Sequence, residues 1–179
     1  MLIISLKELP HKEQHDYAHR LLDVCLKKRG IDYSTASIQY GKQGKPFLPD
    51  YPELHYNLTH ADGITACIVT DRECGIDGEK VRPYRPNVLK RAFSEAEREM
   101  LENAPESERD MLFFRLWTLK ESYVKAIGIG ISYPLNKVEF SFEGDEIITN
   151  IKGWRFKQYL PEMGKYAVSV CLREQSAAL

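Results

Sequence analysis

The chain has 179 residues, with 25 Lys or Arg against 26 Asp or Glu, a formal net charge of −1 and 43% apolar residues. Those figures exclude a broad basic nucleic-acid surface and describe a globular chain able to bury about 70% of its unfolded surface without a metal or disulfide scaffold. The opening MLIISLKELP holds too short an apolar run for a signal peptide or a membrane span, and Cys25, Cys67, Cys74 and Cys171 lie without metal-ligand spacing, which points to the cytoplasm.

Leu2 to Leu6 reads as a strand. Apolar residues Tyr17, Leu21, Val24 and Cys25 keep helical spacing within Lys12 to Lys28, Arg20 lies on that helix, and Gly30 offers a stop. Ser37 to Tyr40 is a short strand before the loop GKQGKP, Gly41 to Pro46, where two glycines and two lysines suit either an anion or a plain solvated turn. Leu54 to His60 runs as a strand into the Asp62–Gly63 turn; Ile64 to Thr70 is a buried strand, and GIDGE, Gly75 to Glu79, follows as its neighbour. Val81 to Pro86 is too rich in proline for a helix or central strand. Ser94 with Glu97 is a capping-box spacing that starts a helix over Glu95 to about Asn103, and a longer helix runs from near Ser107 to the glycines at 128 and 130. Strands follow at Lys137 to Phe142, Ile147 to Ile151, Trp154 to Tyr159 and Tyr166 to Leu172. Each half therefore offers a long helix and antiparallel strands. The expected fold is α+β, with two pseudo-symmetric subdomains at residues 1–72 and 73–179, joined near Asp71 to Gly75 with a cleft at the join.

The chemistry gathers at that join. On the long helix Phe114, Trp117, Glu121, Val124 and Gly128 share one stripe, which sets a carboxylate in an apolar line where it needs company. In an extended GIDGE, Asp77 and Glu79 project from one face, roughly 7 Å apart. Three carboxylates with no His or thiol beside them in sequence suit a hard divalent cation such as Mg²⁺, and Lys45, Lys80, Lys120 and Lys125 could neutralise a phosphate next to it. The competing readings are a surface ion pair between Glu121 and Lys125 and a solvated hairpin edge at Asp77 and Glu79. The tryptophan in line with Glu121 weighs against the first.

GIDGE and, about forty residues on, WTLKESYVKA, with GKPFLPDYPELHYNLTHADG upstream, together resemble the 4′-phosphopantetheinyl transferases of the surfactin-synthetase type. Their signature is G-(I/V)-D-(I/V)-E followed by W-x-x-K-E-(S/A)-x-x-K, and the resemblance runs from about Ala18 to Ser141. It implies a pseudo-twofold α+β fold and transfer of the phosphopantetheine arm of coenzyme A to a serine of an apo acyl or peptidyl carrier protein. The other product is adenosine 3′,5′-bisphosphate. Carried over residue by residue, Asp77, Glu79 and Glu121 resemble the Mg²⁺ ligands and Lys125 the lysine at the pyrophosphate. Thr59 and His60 match the Ser-His pair at the 3′-phosphate, Arg20 the arginine at the same end, and Lys45 the lysine near the nucleotide. Lys120 joins the cofactor-binding set and Trp117 packs. Glu121 is the expected proton acceptor for the serine, directly or through a water, with Lys125 stabilising charge.

Two departures stand out: Gly78 replaces a β-branched residue, which should loosen the spacing of Asp77 and Glu79, and the chain is short before its first helix. They keep open a non-catalytic carrier-protein or nucleotide-binding module; a metal-dependent transferase or hydrolase acting on another pyrophosphate is the alternative among enzymes. The expected partners are coenzyme A and the carrier, with no nucleic acid and no membrane, and the expected state is a monomer.

Overall fold

The computed structural model describes residues 1–175. Strand β1 (Leu2–Leu6) pairs antiparallel with β5 (Ile64–Thr70), and β4 (His55–Ala61) pairs with the other edge of β5 through the turn at Asp62 and Gly63, so the first sheet runs β1-β5-β4. Nearly all of β5 is buried, which its unbroken apolar composition requires. Its two faces serve different cores. Cys67 and Val69 meet Leu21, Leu22, Cys25 and Leu26 of helix α1 (His11–Lys27), while Ile64, Ala66 and Ile68 point to the second half of the chain. Between α1 and β4 the predicted strand at Ser37 to Tyr40 shrinks to β2 (Gln39–Tyr40), paired with β3 (Pro46–Phe47) around the GKQG loop.

The second half repeats the connectivity of strand, helix and two strands. β6 (Cys74–Lys80) lies beside β10 (Tyr166–Arg173), and β9 (Trp154–Tyr159) on the far edge of β10, in the order β6-β10-β9. The intervening chain forms α2 (Leu89–Ala92), α3 (Glu95–Asn103) and the long α4 (Glu106–Ile127), then the hairpin β7 (Phe140–Glu143) and β8 (Glu146–Thr149). The capping box is formed, with Ser94 accepting from the Glu97 amide and Glu97 from the Ser94 amide. The strand expected from Lys137 starts only at Phe140. Leu135–Lys137 make a 3₁₀ turn, because the carbonyls of Leu135 and Val138 bend toward the Lys120 ammonium inside the protein. The observed class is α+β.

The two sheets meet through Ile64, Ala66 and Ile68 on one side and Ile76, Tyr166, Val168 and Val170 on the other. Their facing edge strands, β4 and β6, form no backbone ladder. Instead the Ile76 amide donates to Asn57 Oδ1 at 2.9 Å and the Gly78 amide to Thr59 Oγ1 at 3.1 Å. Both pairs are offset by 19 residues, so the strands run in the same direction, with alternate side chains of β4 satisfying alternate amides of β6. Among the described residues no helix is long and apolar enough to cross a membrane.

Candidate active site

Helix α4 reaches the edge of β6 because Gly75 has no side chain. A Cβ there would stand 2.0 Å from the Ser122 carbonyl oxygen and 2.5 Å from the Ala126 nitrogen, so only glycine lets helix backbone and strand backbone touch. Glu121 and Lys125, one turn apart on α4, are thereby set against Asp77 and Glu79, which alternation places on one face of β6. The Lys125 ammonium lies 2.6 Å from Asp77 Oδ1, and Arg82 binds Glu79 Oε2 at 2.8 Å. Asp77 is only 6% exposed, and its second oxygen, Oδ2, is buried with no hydrogen-bond partner among the described residues.

The field at this spot is that of crowded acids. Loss of water pushes Glu121 up to about 7; the charge of Asp77 adds to the rise, Lys125 opposes it and Glu79 adds a little more. Glu79 is raised chiefly by its burial, with the Arg82 hydrogen bond opposing and Asp77 adding. Each acid therefore feels another, so the three predicted metal residues are neighbours. Among the described residues, however, no three His, Cys, Asp or Glu side chains are assembled into a closed ligand set: Glu79 is turned to Arg82, and one oxygen of Asp77 is given to Lys125. An all-oxygen donor group with a buried, unpartnered carboxylate oxygen still fits Mg²⁺, an ion that keeps several waters and needs only one or two protein carboxylates.

Thr59 and His60 are not a pair facing one ligand. As neighbours on β4 they point to opposite sides: Thr59, 5% exposed, turns inward to Asp77 and Gly78, while His60 faces out toward α1. There Gln14 Oε1 lies 3.3 Å from His60 Nδ1, and the rings of His15 and His60 sit edge to face at 6.3 Å. Burial holds the His60 pKa below the ordinary histidine value, with the charges of His15 and Lys125 adding. Arg20 is exposed on α1, its guanidinium 5.3 Å over the ring of Tyr17.

Two of the predicted cofactor-binding lysines are tied into the fold. Lys120 is fully buried: its ammonium lies 2.7 Å from Glu97 Oε2 and also donates to the carbonyls of Leu135 and Val138, so no ligand can reach it. The sequence misplaced it because the W-x-x-K-E spacing sets Lys120 beside Glu121 in the chain but about 100° away around the helix. Lys45 donates to the carbonyls of Cys74 and Ala126, which holds the last turn of α4 to the start of β6. Gly128 then ends the helix at φ +68°, with the Lys45 side chain packed on it. Trp117 is half-buried and stacked on Phe113 at 6.0 Å, a packing role as expected.

Sequence reasoning missed Asn57, Arg82 and Gln14, and saw Glu97 only as a helix cap, not as the partner of Lys120. Asn57 stands two residues before Thr59 on the same strand face, and Arg82 three residues after Glu79, so spacing held a signal for both. Gln14, 3% exposed, could not have been found, because its link to His60 spans two elements distant in sequence.

Residues 73–171, more than half of the chain, match the family described as the 4′-phosphopantetheinyl transferase superfamily. The 4′-phosphopantetheinyl transferase Sfp of Bacillus subtilis (strain 168) is 34% identical over 142 residues, covering 75% of this chain and 62% of its own length. The 4′-phosphopantetheinyl transferase HetI of Nostoc sp. (strain PCC 7120) is 33% identical over 141 residues, covering 74% and 59%. The chain thus spans about three-fifths of the length of these relatives. Among solved structures, Thermotoga maritima holo-[acyl-carrier-protein] synthase overlays on 58% of this chain and 64% of its own, with 19% identity and a TM-score of 0.49.

Proposed function

Because the chain belongs to the 4′-phosphopantetheinyl transferase superfamily, we propose that it moves the phosphopantetheine group of coenzyme A to a serine hydroxyl of an apo carrier protein, releasing adenosine 3′,5′-bisphosphate. The observation that carries this reading is the gathering of Asp77, Glu79, Glu121 and Lys125 where α4 is pressed onto β6 at Gly75. Asp77, through its unpartnered Oδ2, and Glu121 with Glu79 would hold Mg²⁺. When bound, the ion supplies a positive charge that neutralises the diphosphate and its leaving group.

The chain's own groups do the rest. Lys125 brings a cation to the same place and can turn from Asp77 to a phosphate oxygen, which stabilises charge that grows on the leaving bisphosphate. Glu121, set on α4 against Asp77 and Glu79, is placed to take the proton of the attacking serine, directly or through a water. His60, with Nδ1 tied to Gln14, leaves Nε2 for the 3′-phosphate of the nucleotide end. The bond that forms joins the serine oxygen to the phosphorus bearing pantetheine, and the bond that breaks leads to the bridging oxygen of the diphosphate. We also read the chain as a cytoplasmic monomer, a state that suits four buried, unpaired cysteines.

The test is mass spectrometry of a panel of apo carrier proteins incubated with the chain, coenzyme A and Mg²⁺. A phosphopantetheine adduct on a carrier serine, lost when Mg²⁺ is chelated, is the expected result. Absence of any adduct across fatty-acid, polyketide and peptide carriers would reject the reading.

A further inference from the structure

Thr59 comes from the first sheet, yet its side chain is spent on the second. Its Oγ1 accepts the Gly78 amide at 3.1 Å and lies 3.5 Å from both Asp77 Oδ1 and the Lys125 ammonium. One hydroxyl proton and two lone pairs are thus all engaged, the proton toward the carboxylate. Asp77 consequently has one oxygen held by Thr59 and Lys125, and the other, Oδ2, kept free in a buried place. Without that hydroxyl the Gly78 amide loses its partner, and the carboxylate can rotate to give both oxygens to Lys125.

Thr59 also carries a methyl group, and Gly78 is the reason it fits. A Cβ at position 78 would lie 3.3 Å from Thr59 Cγ2, 3.5 Å from Val168 Cγ2 and 3.8 Å from Ile64 Cδ1. Backbone conformation does not call for glycine there, since Gly78 is not among the residues of positive φ. Nor does glycine loosen the strand as its sequence suggested: β6 stays in register with β10, Asp77 opposite Ser169, Gly78 opposite Val168 and Glu79 opposite Ala167. What the position needs is room, and the γ-methyl of Thr59 fills it.

We propose that Thr59 is a positioning residue for the Asp77 carboxylate, not a phosphate ligand, and that Gly78 is its steric counterpart. The hydroxyl aims Oδ2 of Asp77 at the ion, and the methyl occupies the space where a β-branched side chain would otherwise stand. The first half of this inference rests on the reading of the carboxylates as a metal site; the second half does not.

Metal affinity and melting temperature test the two halves separately. Mn²⁺ binding followed by electron paramagnetic resonance should weaken about tenfold or more in Thr59→Val, while Thr59→Ser, which keeps the hydroxyl, should stay within about threefold of the parent. Coenzyme A affinity without metal should be the same in all three proteins. Should Thr59→Val not fold, the double variant Thr59→Ala/Gly78→Ala refills the methyl space and asks the same question. In thermal melts, Thr59→Ser/Gly78→Ala should exceed the sum of its single shifts by about 2–4 °C. Unchanged Mn²⁺ affinity in Thr59→Val, equal losses in the valine and serine variants, or a fall in metal-free coenzyme A affinity would overturn the hydroxyl's role, the last by returning Thr59 to the phosphate. Additive melting shifts would overturn the matched pair. A parent chain that binds no Mn²⁺ would overturn the metal reading and the hydroxyl's role together, with the melts still deciding the methyl's.

Discussion

Asp77 concentrates the site's conflict, a nearly buried acid with one oxygen on Lys125 and the other without a hydrogen-bond partner among the described residues. Changing it to Asn keeps the shape and removes the charge. Carrier modification in a mass-spectrometric assay should then fall by about two to three orders of magnitude, the scale of losing one electrostatic contact at a reacting centre, with the circular dichroism spectrum unchanged. His60 makes a prediction of a different kind. Its pKa lies below the usual histidine value because burial disfavours the charged ring, and a phosphate dianion placed beside it would raise that value again. Binding should therefore take up a proton, and affinity for coenzyme A should rise as pH falls through the histidine range and level off well above it. Calorimetry in two buffers of different ionisation enthalpy reads the uptake directly; His60→Gln should abolish it.

Helix α4 does two jobs on two sides, and the elements around it explain how. On the side of β6 it presents Glu121 and Lys125 across the gap left by Gly75; on the side of α3 it presents Lys120 to Glu97. Gly75→Ala would drive a methyl into the Ser122 carbonyl, where backbone cannot step aside. Destabilisation of about 1–3 kcal/mol or more is expected in denaturant titration, together with weaker metal binding as the helix lifts from the strand. Lys120→Met leaves Glu97 buried and without its cation, an arrangement that costs about 3–5 kcal/mol. Stability measured by denaturant should drop on that scale. Coenzyme A affinity of the folded protein should stay the same, which separates a structural lysine from a ligand.

At the scale of the whole molecule, two three-stranded sheets with the same connectivity share a core through β5 and are sewn along one edge by Asn57 and Thr59. The seam uses side chains because β4 and β6 both end their sheets, and each unpaired amide of β6 inside the protein must find an acceptor. Asn57→Ala strands the Ile76 amide without one. A loss of about 1–3 kcal/mol is expected, and hydrogen exchange at Ile76 should speed up before that of the amides in β10. Since Asp77 and Glu79 lie on β6 and the hydroxyl proposed to position Asp77 lies on β4, the same substitution should also weaken metal binding, although the side-chain hydrogen bond of Asn57 goes to the Ile76 amide.

Much of this protein was readable from its order of residues. Alternation and three-to-four spacing located α1, β5, β9 and the long helix to within a residue or two, because a strand or a helix face is set by neighbours in the chain. That the carboxylates at 77, 79 and 121 and the lysine at 125 would be neighbours was likewise legible, since two short motifs carry all four. Tertiary structure alone decided the rest. It turned Thr59 and His60 to opposite sides of one strand, withdrew Lys120 from any ligand by giving it carbonyls and an acid in the interior, tied the half-buried Lys45 to the end of the long helix, and matched a methyl at 59 to a missing side chain at 78. Those outcomes depend on which atoms from distant segments lie within a few ångströms of one another. Period and spacing along a chain carry no record of such distances; close packing does.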